Sequence, residues 1–220
     1  MVVSGVLMGS KRVERRYLRE PVRLHFPVEE EVPESKVHRL IVNRLLEIVE
    51  RLLERSALVS CDQFMYWDPS DPGKRLAPDL AVRLGAPAVV LQSWKIWELG
   101  APHLAVEVVS NTDASDRNVD DKLARYRHTG VLELARFDPS ERELRFWDRI
   151  DGDLVERDPS DPEARRCDAL GLYWCVIEDA ALGPTLRLAR FPDGRELVLT
   201  EAEAALARVA ELEAELARRR

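Results

Sequence analysis

Three charged residues stand where neither a packed core nor a solvated helix would ask for them. Asp79 follows Pro78 at the head of the apolar stretch 79–84. Glu107 sits inside Leu104-Ala105-Val106-Glu107-Val108-Val109, where every neighbour is apolar. A carboxylate in that setting is costly unless it is paired, hydrogen-bonded or bound to a cation. Two such carboxylates on neighbouring strands could share one Mg²⁺ (or Mn²⁺), a hard ion that takes oxygen ligands and keeps several waters. Lys122 falls in the opening turn of an expected helix, where the helix dipole opposes a cation. The connection from Glu107 is short enough to return Lys122 towards the strand end. An ammonium there could hold a phosphate oxygen or polarise an attacking water. Each residue also has a plainer role open to it. Asp79 could face solvent or pair with an arginine, and Lys122 could pair with Asp120 or Asp121. The three together, more than any one of them, point to chemistry.

The elements that must position these residues follow from periodicity and punctuation. A first helix is expected from about Glu34 to Arg55, because Val37, Ile41, Leu45, Ile48 and Leu52 recur at helical spacing, and this helix should pack on a sheet. Residues 57–67 are rich in strand formers and end at the turn residues 68–73. Strands are expected at 79–84 and 104–109. Between them an insertion over 86–101, with Ser93-Trp94-Lys95-Ile96-Trp97-Glu98, reads as a short helix or lid. The second helix spans about 119–129. Asn118 suits its cap, Asp120 and Asp121 its first turn, and Gly130 its end. Strands follow at 131–137 and 143–148, joined at Asp138-Pro139-Ser140, and Asp151-Gly152 signals a hairpin into 154–157. Residues 170–177 read as a further strand. Residues 186–190 and 196–199 bracket Asp193-Gly194, a second hairpin signal. Thr200 with Glu203 makes a capping box for a helical tail, in which Ala202, Ala205, Val209, Leu212 and Leu216 follow the 3,4 spacing of a coiled-coil seam. The partition is an N-terminal arm over 1–33, broken by Pro21, Pro27 and Pro33, a main domain over 34–199 and a helical tail over 200–220.

Composition bounds the rest. The chain has 220 residues, 45% of them hydrophobic, which suits one domain with a full core and a short appendage. Its formal charge of −7 is not that of a typical nonspecific nucleic-acid binder. A metal site collects carboxylates, however, and a bound cation changes the local sign. The three cysteines, Cys61, Cys167 and Cys175, lack CxxC spacing, which argues against a disulfide framework or a structural zinc site. No apolar run approaches a membrane span, and the N-terminus does not read as a signal peptide, so the expected location is the cytoplasm. There is no GxSxG elbow, Walker loop, GxGxxG fingerprint or HExxH pair.

Four motifs occur in order: Pro78-Asp79; Ala105-Val106-Glu107-Val108-Val109-Ser110; Asp121-Lys122-Leu123-Ala124-Arg125-Tyr126 with Gly130-Val131; and Phe137-Asp138-Pro139. In this arrangement the chain resembles the Uma-type (Uma-two) restriction endonuclease family of the PD-(D/E)XK nuclease superfamily. The likeness covers about 34–139, counting the first helix with His38. It implies an α/β fold, a restriction-endonuclease-like mixed sheet flanked by helices, to which the sequence adds C-terminal β-hairpins and the helical tail. It also implies Asp79 and Glu107 as metal ligands and Lys122 as the displaced motif lysine. The superfamily's usual lysine lies two residues after the glutamate, where this chain has Val109, and Asn118 stands where the Uma-type family commonly has aspartate. Many superfamily members carry an acidic residue on the first helix near the metal. This makes Glu34, with His38 one turn on, a candidate supporting residue, although both also fit ordinary packed or capping roles.

The leading expectation is an endonuclease that uses Mg²⁺ to hydrolyse phosphodiester bonds of nucleic acid, DNA in the first instance. The competing reading is a catalytically inactive module that keeps the nuclease fold and binds nucleic acid or protein; the acidic balance and the tail favour it. A glycosidase using Asp79 and Glu107 is more distant, with Trp94 and Trp97 as its only hint. Asp79 and Glu107 are expected on adjacent strands and one face. Self-association as a homodimer is expected through the tail seam or a sheet edge.

Overall fold

A computed structural model describes residues 35–90, 92–110 and 119–219, together with the backbone of two short N-terminal strands. Those two, β1 (Leu7–Met8) and β2 (Lys11–Arg12), pair antiparallel. The rest of the expected arm, Glu34 and the proposed cap Asn118 lie outside the described residues. Helix α1 (Lys36–Leu53) starts where Ser35 accepts a hydrogen bond from the His38 amide, and ends at Glu54 in the left-handed region. Strands β3 (Ala57–Ser60), β4 (Met65–Tyr66), β5 (Arg75–Leu76), β6 (Leu80–Leu84) and β7 (Trp94–Lys95) precede the one-turn helix α2 (Ile96–Leu99). Then come β8 (Leu104–Val108), α3 (Val119–Thr129), β9 (Glu133–Asp138), β10 (Glu143–Ile150) and β11 (Asp153–Glu156). The C-terminal part adds β12 (Arg166–Cys167), β13 (Leu172–Asp179), β14 (Gly183–Ala189) and α4 (Glu201–Arg218).

The central sheet has six strands in the order β11-β10-β9-β8-β6-β3. Only β8 and β9 run parallel in it, joined by a crossover through α3, and the other neighbours are antiparallel. This is the mixed sheet flanked by helices that the sequence led us to expect. All five residues of β8 are buried, as for a strand covered on both faces. Alternation sends Leu104, Val106 and Val108 towards α1, where Ile41, Leu45 and Ile48 meet them, and Ala105 towards α3. Burying each of those large α1 side chains contributes about 1.5–3 kcal/mol. The core on the α1 side continues into the β12-β13-β14 sheet through Trp174, Leu186 and Leu188.

The structure refines two expectations. The 86–101 insertion holds the expected short helix, α2, and packs inward at Trp94, which is fully buried in a small cluster with Leu58, Met65 and Ala81 and whose indole Nε1 donates to the Gly100 carbonyl. A long hairpin that the sequence did not signal turns at Asp179–Gly183, where β13 and β14 pair over seven positions. The expected reversal at Asp193-Gly194 is present but short: Ala189 bridges Leu197 antiparallel, the Arg190 amide donates to the Glu196 carbonyl and the Val198 amide to the Leu188 carbonyl. The capping box of α4 is present as expected.

Candidate functional site

Glu107 lies near the end of β8, on the α3 face of the sheet. Residues Lys122 and Tyr126 stand one helical turn apart on α3 and meet it together. Lys122 Nζ is 2.6 Å from Glu107 Oε2, and the Tyr126 hydroxyl donates to Oε1, so each carboxylate oxygen has its own partner. Gly130 makes this docking possible, because it ends α3 at a φ of 74° and a Cβ there would sit 3.1 Å from the Ala101 Cβ. The carboxylate of Glu107 is 5% exposed, against 24% for the Lys122 side chain. Burial raises the Glu107 carboxyl most, the Lys122 ammonium opposes it and the Asp79 carboxylate adds to it, leaving it at about 7.

Asp79 immediately precedes β6, the antiparallel neighbour of β8. Leu80 is in register with Val106, and continuing that count brings Asp79 level with Glu107. Asp79 Oδ2 accepts from the Val108 amide at 2.5 Å, and His38 Nε2 lies 3.3 Å from Oδ1. His38 is a buried residue of α1, so α1 supports the first carboxylate as α3 supports the second. The structure thus gathers Asp79, Glu107, Lys122 and His38 at one end of the sheet, whereas Glu34 lies outside the described residues.

Two residues at this place were not singled out from sequence. Tyr126 stands in the motif of residues 121–126 that carries the resemblance, without a role of its own assigned there. Arg136 is in register with Glu107 across the parallel β8–β9 pair, is 8% exposed and has Glu143 Oε2 at 3.9 Å. Its signal was a charge inside the apolar run 131–137, the same signal that marked Glu107. Ser140 and Pro139 line an open groove of about 310 Å³ that reaches His38 from the α1 side.

Among the described residues, no group of three or more His, Cys, Asp or Glu side chains is arranged to hold a metal ion. The residues that would hold an ion here are the two carboxylates of Asp79 and Glu107, which offer hard oxygens. That set suits Mg²⁺, which takes one or two protein carboxylates and fills its remaining positions with water and substrate phosphate. It does not suit zinc, which asks for four protein ligands, or three with histidine or cysteine among them. Among the described residues no helix is long and apolar enough to cross a membrane.

A mixed sheet flanked by helices is the fold that the sequence resemblance implied. Residues 18–177 match the Uma2 family model, described as "Putative restriction endonuclease", and the chain belongs to that family. A crystal structure of "a putative nuclease belonging to DUF820" from Anabaena variabilis aligns at 11% identity with a TM-score of 0.43, covering 80% of this chain and 81% of that one. No curated protein matches the sequence.

Proposed function

We propose that the protein is a divalent-metal-dependent endonuclease that hydrolyses phosphodiester bonds, with DNA as its first candidate substrate. The observation that carries this reading is the contact between Lys122 and Glu107, 2.6 Å long, with Glu107 buried and Lys122 partly exposed, beside Asp79 at the head of the neighbouring strand. In this reading Asp79 and Glu107 hold Mg²⁺ (or Mn²⁺). The ion when bound supplies Lewis-acid stabilisation of phosphate charge and a more acidic water. Lys122 offers its ammonium to a non-bridging phosphate oxygen, where negative charge builds as the water oxygen bonds to phosphorus and the ester oxygen leaves. Tyr126 and His38 act through the carboxylates: the phenol fixes the rotamer of Glu107, and the imidazole fixes that of Asp79. The fixed geometry matters because the donors need no reorganisation when substrate arrives.

A second reading has specific support. Glu107 has both oxygens engaged by protein partners, the chain is acidic, and no three-residue ligand cluster occurs among the described residues. These features suit a nuclease-fold module that binds nucleic acid or protein without cutting. The glycosidase reading loses the paired tryptophans that were its one hint, because Trp94 is buried and only Trp97 is exposed. The deciding experiment incubates the protein with duplex DNA, single-stranded DNA and RNA, with and without Mg²⁺ or Mn²⁺, beside a Glu107→Gln control. Metal-dependent cleavage lost in the control is the expected result. Binding of a nucleic acid without cleavage under every condition would overturn the enzyme reading in favour of the module.

A further inference from the structure

Helix α4 is fixed firmly at its base and lies exposed along the rest of its length. At the base, Thr200 and Glu203 close a capping box. The buried Arg187 guanidinium grips Glu203 at 2.7 and 2.8 Å. Arg51 of α1 donates to the Leu199 and Thr200 carbonyls, and Glu47 accepts from the Glu201 amide. From Ala205 to Arg219 every residue is exposed. The apolar seam lies open in consequence, with Val209 51%, Leu212 42% and Leu216 61% exposed. A helix held only at its first turn is marginal in water, and an exposed apolar stripe adds to the cost.

The sequence of the helix fits a second copy of itself. Ala202, Val209 and Leu216 take one seam position, and Ala205, Leu212 and Arg219 the other. In a parallel pair like would meet like. Arg219 would face Arg219 of the partner subunit inside the seam, and two alanine layers would leave the base underpacked. In an antiparallel pair Val209 meets the partner's Leu212 and Ala205 meets the partner's Leu216, so small opposes large in adjacent layers. Arg219 then lies beside the partner's Ala202 and Glu201, and the flanking Arg208 faces the partner's Glu215, twice by symmetry. Antiparallel packing also sets the helix dipoles head to tail. We infer that α4 is a self-association element, which pairs antiparallel with α4 of a second copy to give a two-fold symmetric dimer. The clamp at Thr200–Glu203 holds the helix away from the domain before it binds, which lowers the ordering cost of pairing. The helix is about 27 Å long, so the pair separates the two domains to opposite ends of a short rod.

The test is the mass of the full chain by light scattering across concentrations. A dimer is expected at about 100 µM, where an association of micromolar strength is nearly complete. Leu212→Glu should return the chain to a monomer with unchanged circular dichroism, since Leu212 lies on the exposed part of the helix. A wild-type chain that stays monomeric, or a Leu212→Glu chain that stays dimeric, overturns the inference. Orientation is read by oxidising an equimolar mixture of Ala205→Cys and Leu216→Cys chains and mapping the disulfide. A mixed 205–216 crosslink is expected. Efficient crosslinking of Leu216→Cys with itself would show the helices to be parallel and overturn the arrangement.

Discussion

Glu107 and Glu133 look alike in sequence and differ in what surrounds them. Both are buried glutamates inside apolar strands, on the neighbouring β8 and β9, and burial raises the carboxyl of each. Glu133 faces the α1 side, near the start of β9. It accepts from the Ala169 amide at 3.1 Å and meets Arg157 at 3.2 Å. That Arg157 also clasps Asp148 and donates to the Ala164 carbonyl. Glu133 thereby ties the central sheet to the segment leading into the second sheet, through a guanidinium with partners on every side. Glu107 faces α3 at the far end of its strand. Its partners are a lysine with a quarter of its side chain in solvent and a phenol, and a second carboxylate lies level with it. A buried glutamate alone is therefore no sign of a site. A flexible, partly hydrated counter-ion and a neighbouring carboxylate make the difference, because such a cluster can take up a cation and a phosphate, whereas the Arg157 network is already complete.

The comparison makes predictions that differ in kind. The largest effect belongs to the candidate site. Glu107→Gln and Lys122→Ala should each lower the cleavage rate by about 10²–10³-fold, the usual loss when one stabilising group is removed from a preorganised site. Lys122→Arg should recover only part of the activity, since the guanidinium is larger and planar. Single-turnover cleavage measures all three, and a Lys122→Ala chain that cuts normally would reduce that lysine to a surface counter-ion.

Glu133→Ala should do the reverse. Removing one partner of a buried pair strands the other, and the cost is about 3 kcal/mol, at the low end because Arg157 keeps Asp148. Denaturant unfolding should report that loss, while cleavage by the folded fraction stays at the wild-type rate. Equal loss of activity in both glutamate variants would erase the distinction drawn between them.

Tyr126→Phe is the finer probe. It removes one hydrogen bond to Glu107 and leaves volume and Lys122 in place, so the expected cost is about 1–2 kcal/mol in the transition state, roughly tenfold in rate. A positioning role also predicts weaker Mg²⁺ binding by calorimetry. A purely structural phenol would lower the melting temperature and leave both metal affinity and rate alone.

How far the sequence could reach follows from the same residues. The helix 119–129 was legible because its end is written locally, in Gly130 and in the acidic first turn. β6 and β8 were legible as apolar runs interrupted by one charge. The partners of those charges were not, because they depend on register and on the turn of a distant helix. Nothing near Asp79 announces His38, 41 positions earlier, and nothing near Glu133 announces Ala169 or Arg157. The burial of Trp94, between Ser93 and Lys95 in sequence, depends on the parallel pairing of β7 with β4 and on packing against Leu58 and Ala81, none of which is written locally. The β13–β14 turn escaped notice because it lacks an Asn-Gly or Asp-Gly pair. It is made instead by the Asp179 side chain accepting from the Ala181 and Leu182 amides, with Gly183 at a φ of 74°.

The smallest expected effect sharpens the comparison through pH. The fold raises the Glu107 carboxyl from 4.5 to about 7, so the folded chain binds that proton more tightly than the unfolded chain does. Its contribution to stability is full below about pH 4.5 and is lost as pH rises through 7. Glu133 is raised too and acts in the same direction, whereas surface acids such as Asp179, held low by Arg44, act in the opposite one. The informative quantity is thus the difference between the wild-type and Glu107→Gln curves of unfolding free energy across pH 5–8. The variant should lose less stability over that window. If Glu107 also binds Mg²⁺, the ion favours the ionised carboxylate, so adding it should flatten the wild-type and Glu133→Ala curves and leave Glu107→Gln unmoved. A Glu107→Gln chain that follows the wild-type slope would mean that Lys122 holds the carboxylate ionised throughout, making Glu107 as closed a pair as Glu133.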